Sequence, residues 1–186
     1  VTKAASNLIW DSEDSNLKTF GNATFEAKHN TATAYLSSNT DILLVDKDGM
    51  VTITGTGDAA IVAMKGSAEA HVIKYKVDAQ KLEVTVANMD KTYDGTTQAS
   101  GTIALDEKMK DVDVALDISG VSFNYASKDA AEGIKVNPSQ AIILTGSEAN
   151  NYDLQVALSG KIEKKDLNIT SVSKYYDGLP TATLTD

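Results

Sequence analysis

Along most of this chain apolar side chains fall at every second position, the period of a strand with one buried face and not that of a helix. Residues 22–27 and 72–77 alternate in this way, as do 82–86, 121–125 and 150–158, and 32–36 is a further candidate strand. The cleanest run is 111–118, with Val112, Val114, Leu116 and Ile118 on one side and Asp111, Asp113, Ala115 and Asp117 on the other. Further strands are predicted at 98–105, 133–136, 141–146 and 161–163. Residues 59–64, Ala-Ala-Ile-Val-Ala-Met, are apolar throughout and predict a strand buried on both faces. Between 41–46 and 50–54 stands Lys47-Asp48-Gly49, whose Asp and Gly tolerate the positive φ of a tight hairpin turn. Gly55-Thr56-Gly57-Asp58 predicts another turn, and 128–132 a single helical turn. Before Phe20 the pattern weakens to a strand near 7–10, which holds Trp10, and a polar acidic loop at 11–15.

One sequence occurs twice. Lys91-Thr92-Tyr93-Asp94-Gly95 returns as Lys174-Tyr175-Tyr176-Asp177-Gly178, so that Tyr93 and Tyr176 stand 83 residues apart. Each copy follows an alternating strand, Leu82-Glu83-Val84-Thr85-Val86 in the first and Leu167-Asn168-Ile169-Thr170 in the second. That spacing is too long for a solenoid coil and fits one β-sandwich domain of roughly 100 residues or slightly fewer. The expected organisation is an all-β chain with one module at 1–79, of which 1–17 is a poorly defined lead-in. A second module follows at 80–165, and 166–186 opens a further repeat. The joint at 79–81 has no Pro, Gly or Ser run, so it should hold the two modules stiffly.

Composition narrows the classes of function. The 186 residues are 42% hydrophobic, which suits folded domains, and the formal net charge of −9 argues against nucleic acid as a partner. There is no cysteine, which removes disulfides and thiolate metal sites. No run of about 18 apolar residues is present to insert in a membrane, and Val1-Thr2-Lys3-Ala4-Ala5 lacks a signal-peptide core. Leu179-Pro180-Thr181-Ala182-Thr183 departs from the sortase motif at its last two positions and is rejected.

Catalytic chemistry finds few candidates. His29, in a polar turn, and His71, expected to face solvent, are the only histidines, and no Gly-x-Ser-x-Gly elbow or phosphate loop occurs. The aspartates of 111–118 read as a solvated strand face that discourages edge pairing. No residue is expected to bind a cofactor or metal, and the chain is expected not to be an enzyme. Nothing singles out a Lys–Asn isopeptide bond; intact mass would reveal one as the loss of one ammonia.

Two resemblances are carried by specific residues. Ser37-Ser38-Asn39-Thr40, then Val45-Asp46-Lys47-Asp48-Gly49-Met50-Val51-Thr52-Ile53, then Gly57-Asp58-Ala59-Ala60-Ile61 resemble the bacterial immunoglobulin-like (BIg2-type) modules of surface adhesins, over residues 18–78. Tyr35-Leu36 stands where that family commonly has Trp. Residues 80–165 resemble the YDG and related MBG repeat domains of bacterial surface proteins. The carrying residues are Lys91, Tyr93, Asp94 and Gly95, Leu144-Thr145-Gly146, Asn150-Asn151-Tyr152-Asp153-Leu154 and Gly160-x-Ile162; Lys174, Tyr176, Asp177 and Gly178 open the next repeat. The resemblance implies two tandem immunoglobulin-like β-sandwiches with no catalysis. Tyr93, Asp94, Asn151 and Tyr152 are expected to fix loops. The function implied is a stalk or spacer of an adhesin on the bacterial cell surface, its partners being neighbouring repeats of the same polypeptide. The alternatives are a module binding a host glycan or protein, for which Trp10, Tyr35 and Tyr175 are the aromatics to inspect, and an accessory domain of a secreted hydrolase.

Overall fold

The computed structural model describes residues 17–21, 24–27, 29–66, 69–168, 175–176 and 178–180, so the strand expected near 7–10 and Trp10 lie outside the described residues. Strands dominate: β1 (Leu17–Thr19), β2 (Thr24–Glu26), β3 (Ala34–Ser37), β4 (Leu43–Val45), β5 (Met50–Ile53), β6 (Gly57–Lys65), β7 (Glu69–Asp78), β8 (Gln80–Ala87) and β9 (Lys91–Thr92). They continue as β10 (Gln98–Ala99), β11 (Thr102–Leu105), β12 (Ala115–Asp117), β13 (Phe123–Tyr125), β14 (Ala131–Pro138), β15 (Ile143–Thr145), β16 (Tyr152–Gln155) and β17 (Leu158–Glu163). Glu107–Met109 and Ala149–Asn151 form single 3₁₀ turns. The fold is all-β and sandwich-like. It divides into two compact units: the described residues up to Ala87 with Ile103–Val121 and Gln140–Ala157, and Asn88–Thr102 with Ser122–Ser139 and the described residues from Leu158 on.

In the first unit a four-stranded sheet, β1-β7-β6-β3, and a three-stranded sheet, β2-β5-β4, share one core. Leu43, Val51 and Ile53 from the smaller sheet pack with Ala59, Ile61, Tyr75 and Val77 from the larger. Burying each large aliphatic side chain contributes about 1.5–3 kcal/mol. β6 alternates: Ala59, Ile61 and Ala63 are buried, while Ala60, Val62 and Met64 are half-buried. The Lys47-Asp48-Gly49 hairpin forms with Leu43 opposite Ile53 and Val45 opposite Val51. Asp46 holds its turn by accepting from the amides of Asp48 and Met50, each at 2.9 Å, and Gly49 takes φ 87°. The same unit contains the sheets β11-β8-β16 and β12-β15. Only Ala79 separates β7 from β8. The second unit is built on one sheet, β10-β13-β14-β17-β9.

Several expectations need correction. Residues 111–114 are not strand: Asp106 caps the 3₁₀ turn through the Lys108 amide, and the amides of Lys110 and Val112 close the turns that follow. The Val114 amide bonds the Val112 carbonyl and the Asp113 carboxylate accepts from the distant Ser147, which leaves the ladder to Ala115–Asp117. The helical turn at 128–132 is absent. Ser127 and Asp129 instead bond each other, β14 starts at Ala131, and its register shifts between Ala131 and Ile134, where Gly133 has φ 64°. The strand foreseen at 98–105 is broken at Ser100-Gly101 into β10 and β11. The one foreseen at 150–158 is divided between β16 and the start of β17. His29 borders the expected turn at Asn30-Thr31 but is 4% exposed, and its ring lies 6.1 Å from that of His71, which is half-buried where exposure to solvent was expected.

Candidate functional site

The repeated motif occupies the loop from β9 to β10, and its centre is a lysine. β9 aligns Lys91 beside Ile162 of β17 and brings its side chain, 14% exposed, under the loop. The Nζ donates to Asp94 Oδ1 at 2.8 Å, to the carbonyls of Thr96 and Gln98 at 2.9 Å each, and to Thr96 Oγ1 at 3.1 Å. Four acceptors thus surround three protons, and the ammonium is fully satisfied by the loop. It also stands 5.5 Å from the Tyr125 ring centroid, on the electron-rich face that favours a cation. Asp94 accepts in turn from the Thr96 amide and hydroxyl, both at 2.8 Å. The Lys91 ammonium, helped by these two donors, holds the Asp94 carboxyl down to about 2. Gly95, at φ 79°, supplies the left-handed position that turns the chain. Tyr93 fastens the loop by its backbone, the amide donating to the Glu163 carbonyl at 2.8 Å, while its side chain is 37% exposed.

The motif at the end of this unit has a packing reason. A side chain at Gly160 would collide with the Met89 carbonyl, and next to it the Lys161 amide donates to Asp90 Oδ1 at 2.9 Å. Ile162, 1% exposed, then enters the core.

A second cluster lies in the first unit, on the segment from β15 to β16. At Gly146 (φ 110°) any side chain would collide with the Asp113 carbonyl, so the two strands of backbone touch. Ser147 donates to Asp113 Oδ2 from its amide at 2.9 Å and from its hydroxyl at 2.8 Å, and the amide first of all draws the Asp113 carboxyl below its ordinary range. Beyond it, Asn151 Nδ2 donates to Glu148 Oε2 at 2.6 Å, and Asn151 Oδ1 accepts from the Thr56 amide at 3.1 Å. The Thr56 hydroxyl donates to the Asn150 carbonyl at 3.1 Å. Tyr152 meets Phe20 edge-to-face at 5.5 Å between centroids, and burial raises its hydroxyl above the usual range.

Of the second copy of the repeat, Lys174 and Asp177 lie outside the described residues, as does Ile169. Tyr175 and Tyr176 are each 98% exposed, and Gly178 takes φ 76°. Tyr35 is half-buried, with its hydroxyl accepting from the His29 amide at 2.9 Å. Among the described residues no three His, Asp or Glu are placed to hold a metal ion, and no helix is long and apolar enough to cross a membrane. A groove bordered by Leu17, Ser38, Asp58, Lys74 and Lys76 contains none of the motif residues.

Residues 78–159 match the profile of the YDG domain, a β-rich family. The matched stretch contains both the Lys91 loop and the 144–152 segment, whereas Phe20 and Thr56 lie outside it. No curated protein matches the chain. Sequence reasoning missed Phe20, Thr56, Asp113 and Ser147, whose partners are distant in the chain, and Glu148, which bonds Asn151 three residues on. The central role of Lys91 had a visible signal, since a lysine precedes Tyr-Asp-Gly by two positions in both copies.

Proposed function

We propose that this chain is a non-catalytic spacer from a bacterial cell-surface adhesin, in which β-sandwich modules in series carry a distal binding domain outward. In this reading 1–79 is a BIg2-type module, 80–165 a YDG-type module, and 166–186 the start of the next repeat. Its partners are its neighbours in the same polypeptide, and its place is outside the cell. The observation that supports this best is where the motif side chains are engaged. Lys91 and Asp94 satisfy each other and their own loop, and Asn151 is bonded to Glu148 and Thr56. Groups already bonded in this way hold backbone in place and leave little to offer a substrate.

A second reading, a glycan- or protein-binding module, is favoured by Tyr175 and Tyr176, adjacent and almost fully exposed. A glycan array and an extracellular-matrix protein panel probed with this chain separate the two. The spacer reading expects no saturable binding. Binding that is lost in Tyr175→Ala or Tyr176→Ala would replace it with the second.

A further inference from the structure

Glu148, Asn150, Asn151 and Tyr152 belong to the YDG-matched stretch, yet three of them reach residues before it. We infer that this segment is a clasp by which a YDG-type module docks on the β-sandwich that precedes it. The partner it takes is a glycine-led turn presenting a backbone amide and a hydroxyl. The inference rests on the reading of the chain as modules in series.

The chemistry of the recognition is specific on both sides. Asn151 needs an acceptor for Thr56 and a donor for Glu148, which a single side-chain amide supplies. An aspartate there would set a second carboxylate against Glu148. On the other side, Gly55 is buried against the Asp41 carbonyl with no room for a Cβ, which leaves the Thr56 amide free to point at Asn151. The turn is thus read through its backbone and one hydroxyl, not through a large side chain.

Alongside stands the apolar contact of Tyr152 with Phe20, whose own amide donates to Asp78 at 2.9 Å at the end of β7. Tyr152 also opens β16 directly beside Gln80, the first residue of β8. The covalent link through Ala79 is one point of attachment. The clasp, 71 residues further on at Asn150, is a second, and it adds to the stiffness that the short joint already gives.

The absence of native cysteines allows a direct test on the whole chain with spin labels at Leu44→Cys and Asp153→Cys, both exposed sites. Pulsed dipolar spectroscopy should give one narrow distance. Asn151→Ala should broaden it and accelerate exchange of the Thr56 amide about five- to tenfold, the loss of one net hydrogen bond. Thr56→Ala lies 94 residues from Asn150 and cannot unfold the 148–152 segment locally; it should broaden the distance to a smaller extent. An unchanged width in both variants, with Thr56 exchange unaltered in Asn151→Ala, would show that Asn151 orders only its own loop and would overturn the clasp. A positive glycan array would remove the spacer function while leaving this result untouched, so the two failures are distinguishable.

Discussion

Replacing Lys91 by methionine removes the ammonium and keeps an apolar stem beside Tyr125. The Thr96 and Gln98 carbonyls lose a donor, as do Thr96 Oγ1 and Asp94. Hydrogen bonds to a charged group contribute about 1.5–3 kcal/mol each, but the acceptors here lie in an exposed loop where water can take over part of the role. Counting the two carbonyls at about 1 kcal/mol each, and leaving out the exposed Asp94 partner, gives a loss of about 2 kcal/mol. Amide exchange reads this locally. The Tyr93, Thr96 and Tyr125 amides all bond within or across this loop, to Glu163, Asp94 and Thr97. Their exchange should accelerate roughly 30-fold, while the amide of Ile61 in the other unit stays unchanged. Lys91→Arg should not restore protection, because a planar guanidinium cannot point at acceptors on several sides. Less than about a threefold change in Lys91→Met would mean that the loop keeps its shape without the ammonium.

Other consequences can be checked independently. Asp94, with a folded-state pKa of about 2 against roughly 3.9 when unfolded, stabilises fully above about pH 4 and loses that contribution as pH falls through 2; a carboxyl NMR midpoint near 4 would contradict the Lys91 contact. Asp113, also lowered, acts in the same direction. Gly146→Ala drives a methyl into the Asp113 carbonyl at φ 110° and should cost about 2 kcal/mol or more in urea unfolding, so a near-neutral variant would deny the close approach. Ile61→Ala, at a fully buried site, should cost about 2–5 kcal/mol; a smaller loss would place Ile61 outside the core.

The elements readable in the sequence were those whose signal is local. The period-two runs at 72–77 and 82–86 lie within β7 and β8, and Asp46, Asp48 and Gly49 specify their hairpin with short-range bonds alone. The stretch 111–118 misled because alternation describes which side chains are buried and not whether the backbone is extended. Val112 and Val114 are half-buried between exposed neighbours although their amides close turns. Local turns shape that stretch, and its Asp113 is held by Ser147, 34 residues away. The sites divide in the same way. Asp94, Thr96 and Lys91 sit within five residues of one another, so their loop can be inferred from the repeat, whereas Asn151 meets Thr56 across 95 residues and no periodicity announces it.

β1 runs parallel to β7, with Leu17 beside Lys76 and Thr19 beside Asp78, and β9 runs parallel to β17, with Lys91 beside Ile162. In each pair an earlier strand lies alongside a later one and points the same way. Tension applied to the two chain ends pulls such partners in opposite directions along their length, so the rungs between them are sheared together instead of being unzipped one at a time.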